Sequence, residues 1–294
     1  MIMGSSTRSG RGALRCLVAA LVAVAAASLA LVAASTALAT PKGDFAVFAD
    51  CPLKAAESCV YAKTESGKFT IGKETVPIEK PVVLQAGFNE PSEGVETVVA
   101  AADGNTLSKT PQKVPGGLSG LVKCNEISNF IERAACELVF ENGVTGVNAT
   151  VELAAPASSI GLSAENYLFR SGAALSLPVK VHLENPFLGS SCYIGSNSAP
   201  VTIELSTGVS GALVGNPGTL EAKGEGNILA FSHNSLVSNT FPVPAAHGCG
   251  GVFSFLIDPI VNSKLGIPSA AGKNTAELNG SIETTAAVSV EENE

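Results

Sequence analysis

The chain has 294 residues, 46% of them hydrophobic, and a formal net charge of −8 at pH 7. An acidic surface repels phosphate backbones and anionic lipid headgroups, which argues against a nucleic-acid-binding function. The absence of tryptophan and the presence of only three tyrosines leave few flat rings for a sugar-binding platform.

Residues 1–39 have the pattern of a signal peptide. The first part holds three arginines and no acidic residue, and from Cys16 onward the segment is apolar and uncharged. Ala37 and Ala39 are small residues of the kind that signal peptidase requires, so we expect cleavage before Thr40. The apolar run is also long enough to span a bilayer if it is left uncut, so a retained anchor is the alternative.

Short apolar runs between residues 40 and 110 predict strands. The candidates are FAVF (45–48), VYAKT (60–64), KFTIG (68–72), PVVLQAGF (81–88) and ETVVAAA (96–102). The next stretch, TPQKVPGG (110–117), is rich in proline and glycine. It is the best candidate for a boundary between two subdomains of the exported region, residues 40–294.

One amphipathic helix is predicted at about residues 129–141. Apolar residues recur there at helical spacing, and Asn129 followed by Glu132 is typical of a helix start. A helix that began at residue 125 would hold Cys124 and Cys136 roughly 18 Å apart, which is too far for a disulfide. If the helix begins at Asn129, the preceding residues can fold back and the bond becomes feasible.

Period-two alternation dominates the C-terminal half. The runs are GVNATVELA (146–154), ALSLPVKVHLE (174–184), VTIELS (201–206) and AELNGSIETTAAVSV (276–290). This pattern is typical of half-buried antiparallel strands. Pro178 cannot donate a ladder hydrogen bond, so its strand is expected to lie at an edge or to bulge. The run GVFSFLI (251–257) is apolar on both faces and is interpreted as a central core strand.

Many short strands separated by glycine and proline predict a mainly β fold. We expect an antiparallel, β-sandwich-like architecture, with Greek-key connections as one option and with one short amphipathic helix.

Six cysteines follow residue 40: Cys51, Cys59, Cys124, Cys136, Cys192 and Cys249. An even number in an exported chain is typical of a disulfide framework, because thiols are oxidised in that compartment. The count leaves several pairings open. Proximity in sequence favours bonds between 51 and 59, between 124 and 136, and between 192 and 249.

The segment AAHGCGG (245–251) places His247 two residues before Cys249, like the base and nucleophile of a thiol enzyme. A thiol nucleophile must be reduced, whereas the even count assigns Cys249 to a disulfide. We therefore expect His247 to be a solvated loop residue with no catalytic role.

The sequence shows no other catalytic, cofactor-binding or metal-ligating set. His182 is expected to be solvated on the polar face of its strand. His233 has no acidic residue or second histidine nearby in the sequence at the spacing that metal sites use. Serine-hydrolase elbows and nucleotide-binding loops are missing from the sequence. We expect no catalytic residue, no cofactor and no metal, although folding can still bring distant carboxylates together.

Several longer stretches carry a resemblance. They are FADCPL (48–53), ESGKFTIGKETVPIEKPVVLQAGF (65–88), SKTPQKVPGGL (108–118), ELAAPASSIG (152–161), LENPFLGSSCYIGSNSAPVTIEL (183–205) and GCGGVFSFLIDP (248–259). Together they resemble a group of exported proteins from actinobacteria. The resemblance implies export and a shared β-rich fold, and it brings no activity and no catalytic residue.

These observations predict an exported, disulfide-stapled, non-enzymatic protein with a structural or interaction role in the cell envelope or outside the cell. Its expected partner is a protein or another envelope component, and the membrane is contacted only through an uncleaved N-terminal segment. The first alternative is a ligand-binding module, which a deep apolar pocket between the sheets would favour. The second is an extracellular hydrolase, which titratable groups converging in a cleft would favour.

Overall fold

The computed structural model describes residues 40–118, 127–134 and 146–294. The predicted signal segment 1–39 and the predicted Cys124–Cys136 bond lie outside these residues.

Only the start of the helix predicted at 129–141 lies in the described part of the chain. Residues 130–134 are helical there. The Asn129 side-chain oxygen accepts a hydrogen bond from the Ile131 amide at 3.0 Å, as expected of a helix cap.

The described strands are β1 (Ser58–Ile71), β2 (Glu74–Pro77), β3 (Val82–Ser92), β4 (Val95–Ala100), β5 (Gln112–Lys113), β6 (Asn148–Leu153), β7 (Gly161–Leu162), β8 (Leu175–Glu184), β9 (Tyr193–Ile194), β10 (Val201–Leu205), β11 (Val209–Ser210), β12 (Leu213–Val214), β13 (Thr219–Lys223), β14 (Ile228–Ser238), β15 (Ala246–His247) and β16 (Thr275–Ala286). The α-helices that we label are α1 (Ala164–Phe169), α2 (Ser254–Leu265) and α3 (Ala287–Glu291). Short 3-10 helices occupy Gly43–Phe48, Ala157–Ser159, Gly224–Gly226 and Gly251–Phe253. Among the described helices, none combines the length and the hydropathy needed to cross a bilayer.

Sheet 1 contains the strands β13-β14-β16-β1-β3-β4 in that order, and β2 also pairs with β1. Its pairings are antiparallel, with β1 and β16 at the centre in a register that runs from Ser58↔Ala286 to Thr70↔Thr275. A bulge interrupts β1 after Thr64, opposite Gly280. A β-carbon at Gly280 would collide with a backbone carbonyl of β1, so only glycine allows the strands to approach this closely.

Sheet 2 contains β15-β9-β8-β6-β5, and both β7 and β10 also pair with β8. These pairings are antiparallel as well. Leu177, Val179, Val181 and Leu183 alternate along β8 and are buried, as the sequence predicts.

The main core lies between the two sheets. Buried residues of β8 belong to one hydrophobic cluster with Val60 and Leu84 of sheet 1. The predicted mainly β, antiparallel, sandwich-like fold is therefore confirmed. Residues Pro41–Glu294 form one compact unit.

A smaller core lies on the other face of sheet 1. Its buried residues are Phe45, Phe48, Cys51, Cys59, Ile228, Ala287 and Val290. The predicted strand at 45–48 is wrong, because Phe45 and Phe48 lie in a 3-10 helix that turns both rings into this core.

The predicted core strand at 251–257 is also wrong, because residues 254–265 form α2. Ile257, Val261 and Leu265 recur every fourth residue and are buried in the main core. This helical period becomes visible only in a window that extends to Leu265.

Pro178 lies inside sheet 2 rather than at an edge. Its strand β8 pairs with β10 through this position without a register shift. On the other side of β8, the pairing with β6 ends at Val179 and the pairing with β7 covers Ser176 and Leu175. The missing N–H of Pro178 therefore falls where β8 changes partners.

Candidate functional site

The Cys51–Cys59 disulfide is present. Cys59 is fully buried on β1, and Cys51 is 8% exposed in the segment that precedes it. The bond therefore fastens the N-terminal part of the described chain to the central strand of sheet 1.

The Cys192–Cys249 disulfide is present too, and both cysteines are fully buried in the main core. It joins the loop before β9 to the loop after β15. Sequence proximity thus identified both of the disulfides that lie within the described residues.

Helix α2 holds the loop around Cys249 with two side chains one turn apart. The Asp258 carboxylate accepts hydrogen bonds from the Cys249 amide at 2.7 Å and from the Gly248 amide at 3.1 Å. Asn262 donates to the Ala246 carbonyl at 2.9 Å and accepts from the Ala246 amide at 2.6 Å. These bonds satisfy backbone groups that the short strand β15 leaves unpaired.

The His247 ring is exposed at the end of β15, and its Nε2 lies 3.1 Å from the Gly195 carbonyl oxygen. Cys249 is bonded to Cys192, so no thiol is available beside this histidine. The structure therefore does not assemble the thiol site that AAHGCGG resembles. His233 lies elsewhere, exposed at a bulge in β14 with a positive φ of 56°.

His182 is not the solvated residue that the sequence predicts. Its side chain is 16% exposed and stacks on Tyr193, with ring centroids 4.5 Å apart and planes 13° from parallel. Its Nδ1 lies 4.0 Å from Glu152 and 3.8 Å from Glu184. Its Nε2 is buried and has no hydrogen-bond partner among the described residues.

The neighbours of His182 form a polar cluster on the outer face of sheet 2. Lys180 lies 3.8 Å from Glu152, and its ammonium nitrogen is 4.9 Å from the centre of the Tyr193 ring. Thr150 donates a hydrogen bond of 2.7 Å to Glu184. Burial raises the pKa of the Tyr193 hydroxyl, and the two carboxylates act in the same direction. Within the described residues, no group of three or more potential ligands is arranged to hold a metal ion.

An apolar cavity lies between the two sheets, in two adjoining chambers. The cavity volume is about 80 Å³ in chamber 1 and about 180 Å³ in chamber 2. Their shared walls are Ala62, Leu84, Leu175, Leu236 and Ile282. Protein cores are normally packed as densely as organic crystals, so space on this scale is a distinct feature of the fold.

Small side chains help to open the cavity. Ala62 lies in the centre of sheet 1, directly opposite Leu84 on one neighbouring strand and Ile282 on the other. Ala174 supplies part of the facing wall in chamber 2. Where sheets pack about 10 Å apart, such short side chains leave the space between them unfilled.

Helix α1 closes one side of chamber 2 through Tyr167. The Tyr167 hydroxyl donates a hydrogen bond to the Pro217 carbonyl at 2.7 Å and accepts one from Asn234 at 3.2 Å. Its ring meets Phe231 edge-on at 5.2 Å. Burial raises the pKa of Tyr167 to about 12, so this wall is uncharged at neutral pH.

Several polar groups on the cavity walls are already hydrogen-bonded within the protein. In chamber 2, Ser163 accepts the Asn166 amide and Thr284 donates to the Cys59 carbonyl. In chamber 1, Gln112 bonds the backbone of Glu79 and Lys80. The cavity therefore offers mainly contact with apolar side chains.

No protein-family model, curated protein or solved structure matches this chain. Its function is therefore inferred from the sequence pattern and from this geometry.

Proposed function

We propose that this chain is an exported protein that binds an apolar, lipid-like ligand in the cavity between its two sheets. The observation that carries the proposal is the cavity itself, with its almost entirely apolar walls. The chambers have cavity volumes of about 80 Å³ and 180 Å³, smaller than the roughly 300–1,000 Å³ of typical ligand pockets. An apolar protein cavity of about 150 Å³ is nevertheless large enough to take up a molecule the size of benzene.

The chemistry of the walls defines the class of ligand. Apolar cavities in proteins stay dry and take up apolar molecules. Each methylene group moved from water into such a site contributes about 0.8 kcal/mol. A hydrocarbon chain therefore suits these mainly apolar walls, whereas a strongly polar ligand would lose more hydration than the few polar wall groups can replace.

This proposal favours a ligand-binding module over the structural or interaction role expected from the sequence. It also differs from the hydrolase alternative. The wall groups described above are used in internal hydrogen bonds, and the His182 cluster lies on the opposite face of sheet 2.

Export is part of the proposal and has its own support. The N-terminal segment has the pattern of a signal peptide, and the two disulfides are typical of an oxidising compartment. Intact-mass analysis of the secreted protein is expected to give a chain that begins at Thr40. Recovery of the uncleaved chain in the membrane fraction would support the retained anchor instead.

The binding experiment uses a fluorescent long-chain fatty acid, added from water to purified protein. Ala62→Phe places a ring at the wall shared by both chambers, and we expect it to weaken probe binding by about tenfold or more. The control is Ala100→Phe, the same change at an exposed position outside the cavity walls. Thermal melting of both variants shows that they are folded. Equal probe affinity in the folded Ala62→Phe variant and the original protein would contradict the cavity as the binding site.

A further inference from the structure

Exposed apolar side chains surround chamber 2 on the surface. Leu168 of α1 and Leu229 of β14 line the chamber and are 50% and 47% exposed. Leu220 of the edge strand β13 is 56% exposed and lies directly opposite Phe231, another wall residue. Phe169, next to Leu168, is 74% exposed. We call Leu168, Phe169, Leu220 and Leu229 the apolar rim.

The strand side of the apolar rim carries no charged side chain. Alternate residues of β13 point to opposite faces, so Leu220 and Ala222 share the cavity face of sheet 1. Glu221 and Lys223 occupy the other face, where Lys223 binds Glu283 at 2.7 Å. The charges of this edge strand are therefore turned away from the rim.

We propose that the apolar rim docks on an electrically neutral lipid surface, and that the ligand passes from this surface into chamber 2. The inference rests on the proposed function and names the source of the ligand. A hydrocarbon chain that enters beside Leu168 and Leu229 leaves the bilayer without crossing water. Docking also removes the apolar surface of the rim side chains from water, which stabilises the docked state by about 25 cal/mol per Å² of buried apolar surface.

The charge of the chain decides which lipid surface fits. The net charge of −8 disfavours contact with anionic headgroups, and the strand side of the rim offers no basic residue to compensate. Zwitterionic headgroups impose no such penalty.

The test measures co-sedimentation of the purified protein with phosphatidylcholine vesicles. Phe169→Asp/Leu220→Asp places two charges on the rim at positions outside the chamber walls. We expect the bound fraction to fall by about tenfold because each charge would have to be desolvated. The control is Val252→Asp/Phe255→Asp, the same change at positions that are 86% and 77% exposed and lie outside the chamber walls. The control should bind vesicles like the original protein. Replacing part of the phosphatidylcholine with phosphatidylglycerol should weaken binding.

Probe binding from water separates the two proposals. The rim variant should bind the probe normally when the probe is added from water. It should fail only to take up the probe from vesicles that contain the probe. Leu220→Asp alone, which does not alter a chamber wall, provides a second rim variant if the double variant is unfolded by thermal melting. If the original protein binds vesicles but takes up no probe from water, the docking surface is supported. The same result would contradict the cavity as a binding site.

Several outcomes overturn the lipid-surface proposal. One is the absence of vesicle binding by the original protein, and another is undiminished binding by folded rim variants. Loss of vesicle binding in the control variant alone would show that the docking surface lies at the start of α2 and not at the rim. A dimer in light scattering that the rim variants convert into a monomer would show that a second copy covers the rim.

Discussion

Removal of the Cys192–Cys249 bond should destabilise the protein more than removal of Cys51–Cys59. The first bond joins cysteines 57 residues apart and the second joins cysteines 8 residues apart. In the chain-entropy model, closing the longer loop stabilises the fold by about 4.2 kcal/mol and closing the shorter one by about 2.5 kcal/mol. We therefore expect the two losses to differ by about 1.7 kcal/mol.

The variants are Cys192→Ala/Cys249→Ala and Cys51→Ala/Cys59→Ala. All four cysteines are less than 9% exposed, so the loss of packing is similar in the two variants and largely cancels in the comparison. The assay is equilibrium unfolding in urea without reductant, with the free energy of unfolding extrapolated to water for each protein.

Equal destabilisation, or a larger loss in the Cys51/Cys59 variant, would refute the argument from loop length. Recovery of Cys249 as a free, readily alkylated thiol in the original protein would refute the disulfide assignment itself. It would also restore the thiol-enzyme interpretation of the segment around His247.

Three further changes test local contacts. Asp258→Asn should lower the free energy of unfolding by about 1–2 kcal/mol, because one of the amides of Gly248 and Cys249 loses its acceptor. An unchanged urea midpoint would contradict this prediction. Tyr167→Phe should remove the phenol with a pKa of about 12 from an alkaline absorbance titration. Since the neutral phenol is favoured in the folded state, the original protein should lose stability between about pH 10 and pH 12, and the variant should lack this part of the loss. His182→Phe keeps a ring against Tyr193 and removes a buried nitrogen that has no hydrogen-bond partner, so the melting temperature at pH 8 should not fall. A clear decrease would show that this nitrogen makes a stabilising hydrogen bond.

The strands of the C-terminal half were predictable because their pattern is local. The alternation in 201–206 fixes which residues face the core, and Val201, Ile203 and Leu205 are buried in β10 while the intervening residues are exposed. A shift of one residue would expose the whole apolar set, so the pattern also fixes the face that packs.

Helix α2 was missed because a short apolar run does not distinguish a strand from a helix. Pro259 also argues against a helix, since it lacks the amide hydrogen that the helical ladder uses. The burial of Ile257, Val261 and Leu265 in the main core outweighs this local cost. Gly266, with a φ of 68°, ends the helix in the left-handed conformation that glycine favours.

The cavity and the His182 cluster could not be predicted because both depend on contacts between distant segments. Ala62 and Leu175 line the same chamber although more than a hundred residues separate them. The stacking of His182 on Tyr193 follows from the register of β8 with β9, which no local pattern in the sequence specifies.

The position of β16 determines when sheet 1 can be completed. This strand comes from residues 275–286 and lies between β14 and β1, and β1 belongs to a much earlier part of the chain. As the polypeptide is synthesised from its N-terminus, β1 can form only its local pairs with β2 and β3 until β16 emerges. Contacts this distant in sequence form slowly, because a long loop must close first. A newly made chain therefore keeps an open sheet edge during synthesis, and this delay would suit the proposed export, in which the chain crosses a membrane before it folds.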